Sequence, residues 1–436
     1  MKNVVIIYAD DLGWGDVGCN QDLEPGAPSP TPYLDALAAD GVRCTQWYSN
    51  SPVCSPSRAA LLSGRHPDAT GVSEILAGRR HSSGLPTTVR TIARILGEAG
   101  FATGLFGKWH LGTAPETSPN AHGFDEFFGF RAGCVDYFSH IHYWDRGTDP
   151  VHDLWADDTE VWRNGEYVTE VITERAVDFI RRAARADRPF LAYVPYSAPH
   201  YPMHAPQRYL DRFPQLPPDR RIMAAMVAAM DDGIGEILAA LDEGAVREDT
   251  VIVFSSDNGP SSESRNWLDG TPDPYYGGST GGFRGHKGSL FDGGIREPTI
   301  IAAPGALPAG TASHTPAQMI DVLPTVLDLL GIDRGSETLD GRSRLARLRG
   351  AGGADETPLF WRYGDQAAVR RGSWKLVTHG RDDLDGSVVE DPFLADLASD
   401  PGERVNRAAE RPELVKELVR ELEAWLAATA DAAPGG

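Results

Sequence analysis

Two stretches of the chain are almost free of polar side chains, and each stops at a pair of oxygen-bearing ones. Residues 4–8 read Val-Val-Ile-Ile-Tyr and run into Asp10 and Asp11; residues 250–255 read Thr-Val-Ile-Val-Phe-Ser and run into Asp257 and Asn258. A strand without apolar–polar alternation is buried on both faces, as in a parallel sheet covered by helices. Residues 101–106 and 190–196 read the same way, and lead to Lys108 and His110 and to His200. In open α/β sheets, ligands collect just beyond the carboxyl ends of strands. The pattern therefore gathers these polar residues along one edge of one sheet.

Between the strands the apolar spacing changes to three and four. It predicts helices over residues 32–41, 88–99, 168–186, 222–241 and 319–330, the first with Leu34, Leu37 and Ala38 on one face. Residues 120–144, rich in Gly, Phe and Tyr, read as a long loop over the cleft, and residues 259–282 as a surface loop. A glycine-spaced basic loop over 283–298 leads to a strand at 299–303. Glycines at 350, 352 and 353 mark a boundary over 345–356. Beyond it lie short strands at 359–361, 367–370, 374–378 and 393–395, then an amphipathic helix at 412–427 with Leu414, Leu418, Leu422 and Leu426 on one stripe. The expected fold is α/β: a large mixed, mostly parallel sheet sandwiched by helices over residues 1–345. A smaller α+β unit, a short antiparallel sheet plus helix, follows over 356–436.

At 436 residues, with 41% apolar and 24% charged side chains, the chain is long enough for a large core. No run of about eighteen apolar residues marks a transmembrane helix. The net charge of −21 disfavours nucleic acid and anionic membranes as partners, and nothing in the sequence indicates an oligomeric state. Cys19, Cys44, Cys54 and Cys134 show no paired or Cys-x-x-Cys spacing, as expected of free thiols in a reducing compartment. The N-terminal apolar run is too short for a signal peptide. The expected location is cytoplasmic, or outside the cell if a leader has been removed.

Two adjacent carboxylates at Asp10 and Asp11 either cap the next turn or hold a cation between them. With Asp257 and Asn258 the donor set is all oxygen, which suits Ca²⁺, Mg²⁺ or Mn²⁺ rather than Zn²⁺. Cys54 opens the stretch Cys-Ser-Pro-Ser-Arg-Ala-Ala-Leu-Leu-Ser-Gly-Arg. Pro56 fits the first turn of a helix, and Arg58 lies one turn beyond Cys54. Read alone, Cys54 is either a small buried hydrophobe or a thiol that ionises easily at a helix start. Lys108 and His110 face the same way in an extended segment, and Lys287 lies in the glycine-spaced loop.

The Cys54–Arg58 motif with its tail resembles the maturation motif of the type I sulfatases, of the alkaline phosphatase superfamily. Residues 9–13, 107–112, 199–200, 256–259 and 285–298 extend the resemblance over nearly the whole chain, towards the arylsulfatase and N-acetylgalactosamine-6-sulfatase branch. It implies that Cys54 is oxidised to formylglycine (3-oxoalanine) by a formylglycine-generating enzyme, and that the hydrated aldehyde is the nucleophile. Asp10, Asp11, Asp257, Asn258 and residue 54 would bind a divalent cation, usually Ca²⁺. Arg58 would hold the hydrate, Lys108 and Lys287 the sulfate. His200, with Lys287, would protonate the leaving alcohol, and His110 would assist the later elimination. Ser139 and His140 stand where some relatives place a polar sulfate contact. Asp292 replaces an expected Glu and reads as structural.

The implied reaction is hydrolysis of a sulfate monoester, on a sulfated carbohydrate with activity on aryl sulfates. In the 134–155 loop, Tyr137, Tyr143, Trp144 and Trp155 are positioned to stack on a sugar, and Asp136, Asp145, Asp149 and Asp153 to accept its hydroxyl hydrogens; the same residues also suit a solvated loop packed by its own aromatics. The rival readings are a phosphonate monoester or phosphodiester hydrolase of the same superfamily, and a non-catalytic protein that binds sulfated glycan.

Overall fold

The computed structural model describes residues 1–20, 31–143, 149–262, 277–335, 337–353, 355–381, 387 and 389–431. Trp144, Asp145 and most of the expected 259–282 loop lie outside the described residues. Among the described residues, eleven strands form one sheet. Its longer members are β1 (Asn3–Ala9), β2 (Val42–Tyr48), β3 (Ala102–Lys108), β4 (Glu126–Phe130), β5 (Phe190–Pro195), β6 (Thr250–Ser256) and β7 (Arg296–Ala302). They lie in the order β2-β7-β6-β1-β5-β3-β4, with β6, β1, β5, β3 and β4 mutually parallel. The strand β7 runs antiparallel to both β6 and β2.

The unalternating runs are buried on both faces, as their composition demands. Val5, Ile7 and Ala9 of β1 pack under the helices Pro32–Asp40, Val168–Arg185 and Pro218–Glu243. Val4, Ile6 and Tyr8 point the other way, under Cys54–Ser63, Ile92–Glu98 and Val322–Leu330. Each fully buried aliphatic side chain contributes about 1.5–3 kcal/mol. The parallel run is thereby rigid, and its carboxyl ends form a fixed edge.

Some elements differ from the sequence expectation. The supposed loop over 120–144 contains β4, which pairs with β3 in register Gly107 to Gly129. Gly107 has φ +134°, and a Cβ there would sit 1.9 Å from the Pro195 carbonyl oxygen. Only glycine permits that backbone approach. The helix expected from residue 88 starts at Ile92, because the Thr91 side chain accepts the Arg94 N–H and caps it there. In the 319–330 segment a tight turn, Met319–Asp321, precedes the helix Val322–Leu330.

The C-terminal strands Leu359–Tyr363, Gln366–Arg371, Trp374–Thr378 and Phe393–Asp396 form a four-stranded antiparallel sheet. One face packs on the helix Pro412–Asp431 through Leu418 and Leu422. The other packs on Tyr48, Leu290, Phe291 and Ile295 of the main body, so this small sheet backs the loop that carries Lys287. Among the described residues no helix is long and apolar enough to cross a membrane.

Candidate active site

The strand ends converge as the pattern requires. Asp10 and Asp11 follow β1, Asp257 and Asn258 follow β6, Lys108 ends β3, and His200 lies in the turn after β5. Asp11 has φ +60°, a left-handed conformation that is costly for a residue with a Cβ. Cross-links hold it there. Its N–H donates to Asp257 Oδ1 at 3.1 Å, and Asn258 Nδ2 donates to Asp11 Oδ1 at 2.7 Å.

The helix Cys54–Ser63 enters this cluster end-on, and all ten of its residues are buried. Cys54 Sγ lies 3.5 Å from Asp10 Oδ1. One turn later, Arg58 Nη2 reaches Asp257 Oδ2 at 2.7 Å and Asp10 Oδ1 at 3.4 Å, while Nη1 donates to the Lys108 carbonyl at 3.3 Å. Lys108 Nζ sits 2.5 Å from Asp10 Oδ2, and Lys287 Nζ sits 2.8 Å from Asp11 Oδ1. The Lys287 loop is pinned on two sides: its own N–H donates to the Pro260 carbonyl, and the Gly288 N–H to the Pro52 carbonyl beside Cys54.

Two histidines complete the cluster. His200 Nδ1 lies 2.6 Å from the Tyr201 carbonyl oxygen, and Nε2 faces Asp11 Oδ2 at 3.6 Å. A carbonyl only accepts, so Nδ1 carries the proton and Nε2 is turned to the cleft. By the same reasoning His110 donates from Nε2 to the Leu76 carbonyl at 3.1 Å, and its Nδ1 has no partner among the described residues.

Burial and the cationic neighbours set the charges. Burial pushes the Asp10 carboxyl up, but Lys108, His200 and Arg58 outweigh it and hold it at about 2. Asp11 is lowered too, Lys287 and His200 overcoming its burial. Asp257 is raised, first by burial and then by the Asp10 charge. Burial, with Lys108 and Arg58 adding to it, keeps His110 well below the usual imidazole range, so the ring is neutral at pH 7. His200 is lowered by burial and by Lys287. Of the two readings of Cys54 taken alone, the small buried residue is the one found, and the easily ionised thiol is not. Burial drives the Cys54 thiol up to about 12, and Lys108 and Lys287 only partly offset this.

The residues fit a hard divalent cation. Ligand atoms of Asp10, Asp11, Cys54 and His200 all lie within 4.8 Å of one another. The buried Asn258 Oδ1 has no hydrogen-bond partner among the described residues, an oxygen left over for a ligand. Three carboxylates and one carboxamide oxygen form a donor set for Ca²⁺ or Mg²⁺.

Ser139 and His140 are not brought into the cluster. The Ser139 N–H is tied to Asp136 Oδ1, while the buried His140 ring bonds the Glu166 carbonyl and lies beside His152. Tyr137 is likewise no stacking surface: it is fully buried, with its hydroxyl 2.9 Å from both the Ser197 and His200 carbonyls. The sequence reading missed this role, as it missed Tyr8, whose ring lies 5.6 Å from the Arg58 guanidinium. Tyr8 was hidden inside an apolar strand run. Trp155 is covered by Arg131, 4.3 Å over its ring.

Lysines and an arginine facing a carboxylate-lined cation site are the equipment of a hydrolase for anionic esters. The sequence model of the sulfatase family matches residues 2–332, and the chain belongs to that family; it is a sulfuric ester hydrolase. It is 33% identical over 446 residues to N-acetylgalactosamine-6-sulfatase of Canis lupus familiaris, covering 92% of this chain and 81% of the relative. It is 33% identical over 457 residues to arylsulfatase A of Homo sapiens, covering 95% and 86%. Among solved structures, Ps i-CgsB in complex with k-i-k-neocarrahexaose superposes with a TM-score of 0.85 at 31% identity, covering 97% of this chain and 92% of that one.

Proposed function

We propose that the chain removes sulfate from a sulfated carbohydrate and also turns over aryl sulfates, using a formylglycine made from Cys54 by a formylglycine-generating enzyme. The observation that carries this is the setting of residue 54. It opens a fully buried helix beside Asp10, within the ring formed by Arg58, Lys108, Lys287 and His200. A thiol pushed up to about 12 is a poor nucleophile at neutral pH, which favours conversion of that side chain over direct use of it.

Lys108 and Lys287 are placed to neutralise the sulfate oxygens. Arg58 is locked between Asp10 and Asp257 and holds the oxygens of the converted residue. His200, its Nδ1–H held by the Tyr201 carbonyl, takes up a second proton at Nε2, which faces Asp11, and delivers that proton to the departing alcohol oxygen. His110, neutral and with an open Nδ1, accepts a proton during release of sulfate. Asp10, Asp11, Asp257 and Asn258 would hold the cation, which when bound draws negative charge away from the ester. The hydrated aldehyde would supply one hydroxyl to attack sulfur and a second to expel sulfate without water attacking sulfur. The carbohydrate part of the reading is supported by relatives named for a sugar sulfate and by a structural neighbour that binds a hexaose.

The test is peptide mass spectrometry across Cys54 after co-expression with a formylglycine-generating enzyme, paired with assays on an aryl sulfate and an aryl phosphate. Aldehyde at residue 54 with sulfate preferred upholds the reading. Aldehyde with phosphate preferred makes the chain a phosphonate monoester or phosphodiester hydrolase. An unconverted thiol with retained glycan affinity makes it a binding protein.

A further inference from the structure

Among the described residues, the most exposed of the large apolar side chains is Trp162, at 63%. A bare indole on a soluble protein calls for an explanation. It is held rigidly: the His152 ring stacks on one face, with centroids 3.7 Å apart and planes within 9°. His152 is itself fixed by Glu160, whose Oε1 is 2.9 Å from Nδ1. Glu160 in turn binds Arg80 at 2.9 and 3.0 Å, and Arg80 also reaches the His152 carbonyl at 3.3 Å. One face of the indole is thus backed by a ring, more than half of the side chain is exposed, and a guanidinium and a carboxylate stand beside it.

This feature lies on the same edge of the sheet as the cleft. The segments after β3 and β4 stay paired beyond the strands, the His110 N–H donating to the Arg131 carbonyl at 3.2 Å. The next N–H, of Ala132, donates to Asp153 Oδ2 at 2.7 Å, and Asp153 adjoins His152 in the chain. From β1, which carries Asp10, to the strand Trp155–Ala156 the sheet order takes four steps, about 19 Å at roughly 4.8 Å per strand. A second exposed apolar side chain, Ile75, at 50%, sits nearer the cleft. Its neighbour Leu76 bonds both Ser55 and His110.

We infer that Trp162 is a stacking platform for a distal sugar ring, so that the substrate is a sulfated oligosaccharide or polysaccharide rather than a single sugar. The inference rests on the carbohydrate reading above and specifies its length. A flat, rigid aromatic face with polar groups at its border matches a pyranose, whose C–H face is apolar and whose rim is hydroxylated. A monosaccharide cannot span the separation; a chain of several units does. The Arg80–Glu160 pair at the border of the platform is neutral as a unit and offers a sugar hydroxyl both a donor and an acceptor.

The experiment uses the full chain as Cys54→Ala, which has neither a thiol to oxidise nor a hydroxyl to accept sulfate, and titrates it with neocarrahexaose and with a chondroitin sulfate hexasaccharide, each against its disaccharide. A hexasaccharide should bind at least tenfold tighter than its disaccharide. Trp162→Ala should erase that gap and Trp162→Phe should restore most of it. Absence of the gap in the parent, or its persistence in Trp162→Ala, overturns the inference. So does a Trp162→Ala variant that changes from dimer to monomer in sedimentation with unaltered sugar affinity, since the face would then join two copies. Kinetics on matured protein separate this from the hydrolase reading. If no sulfate ester is turned over while the Trp162-dependent gap persists, hydrolysis falls and the platform stands.

Discussion

Lys375→Met removes a buried cation that ties the C-terminal sheet to the loop bearing Lys287, and its cost follows from the surrounding charges. Lys375 is fully buried, with Nζ 2.7 Å from Asp292 Oδ1 and 3.0 Å from Glu403 Oε1. Glu403 Oε2 accepts the Asp292 N–H at 2.5 Å, and Asp292 Oδ2 accepts the Tyr48 hydroxyl at 2.9 Å and faces Arg296 Nη1 at 3.4 Å. Lys375 thus pairs with both carboxylates, whereas Arg296 faces Asp292 alone. Methionine keeps the volume and leaves one carboxylate unpaired, and breaking a buried pair in this way costs about 3–5 kcal/mol.

The cost depends on pH through Glu403. Burial pushes its carboxyl up to about 7, against the pull of Lys375. The native state therefore binds this proton more tightly than the unfolded chain does. The resulting stability is fully present below the ordinary carboxyl range and is lost as pH rises through about 7, a swing of about 3 kcal/mol. At pH 6 Glu403 is mostly neutral, so the variant loses only the contact to Asp292, about 2 kcal/mol. At pH 8.5 it bears the full 3–5 kcal/mol. Urea unfolding at both pH values measures this. Adding Glu403→Gln removes the stranded charge and should recover at least half of the loss at pH 8.5. A deficit equal at the two pH values, and unmoved by Glu403→Gln, would refute the ionic account. So would a variant within about 0.5 kcal/mol of the parent at both, given the size expected for a broken buried pair.

Asp257→Ala removes both a cation oxygen and the 2.7 Å partner of Arg58, and should lower turnover by about 1,000-fold with loss of bound Ca²⁺ by elemental analysis. Undiminished hydrolysis would rule out this metal centre. His200→Ala should slow esters of poor alcohol leaving groups by about 100-fold more than activated aryl sulfates; equal loss on both would remove His200 from the role of general acid. Tyr137→Phe frees the turn that carries His200 from a hydroxyl 2.9 Å from two of its carbonyls. It should cost about 1 kcal/mol of stability and lower kcat on an alkyl sulfate about fivefold, and an unaltered kcat would show that the turn is held by other contacts.

The strand ends were legible because burial on both faces leaves a local mark. Val4–Tyr8 and the run before Asp257 can only be core strands, and topology then delivers their flanking residues to one edge. The strand β4 was not legible. Its Glu-Phe-Phe-Gly-Phe sequence is an aromatic loop until Gly129 meets Gly107, twenty-two residues away in the chain, and lets the two backbones approach. Which of the two readings of Cys54 holds was not legible either, for a related reason. A helix start is visible in sequence, but the depth at which that helix is buried is set by strands and loops elsewhere, and desolvation outweighs the favourable helix terminus. The same division runs through the aromatic loop. Tyr137 turns inward, its hydroxyl on two carbonyls beyond β5, and Trp162 lies exposed against the ring of His152, ten residues earlier in the chain. Residues placed by sheet order can therefore be read from the chain. Aromatic side chains oriented by distant partners, as in the Trp162–His152 stack, leave no such mark in the local sequence.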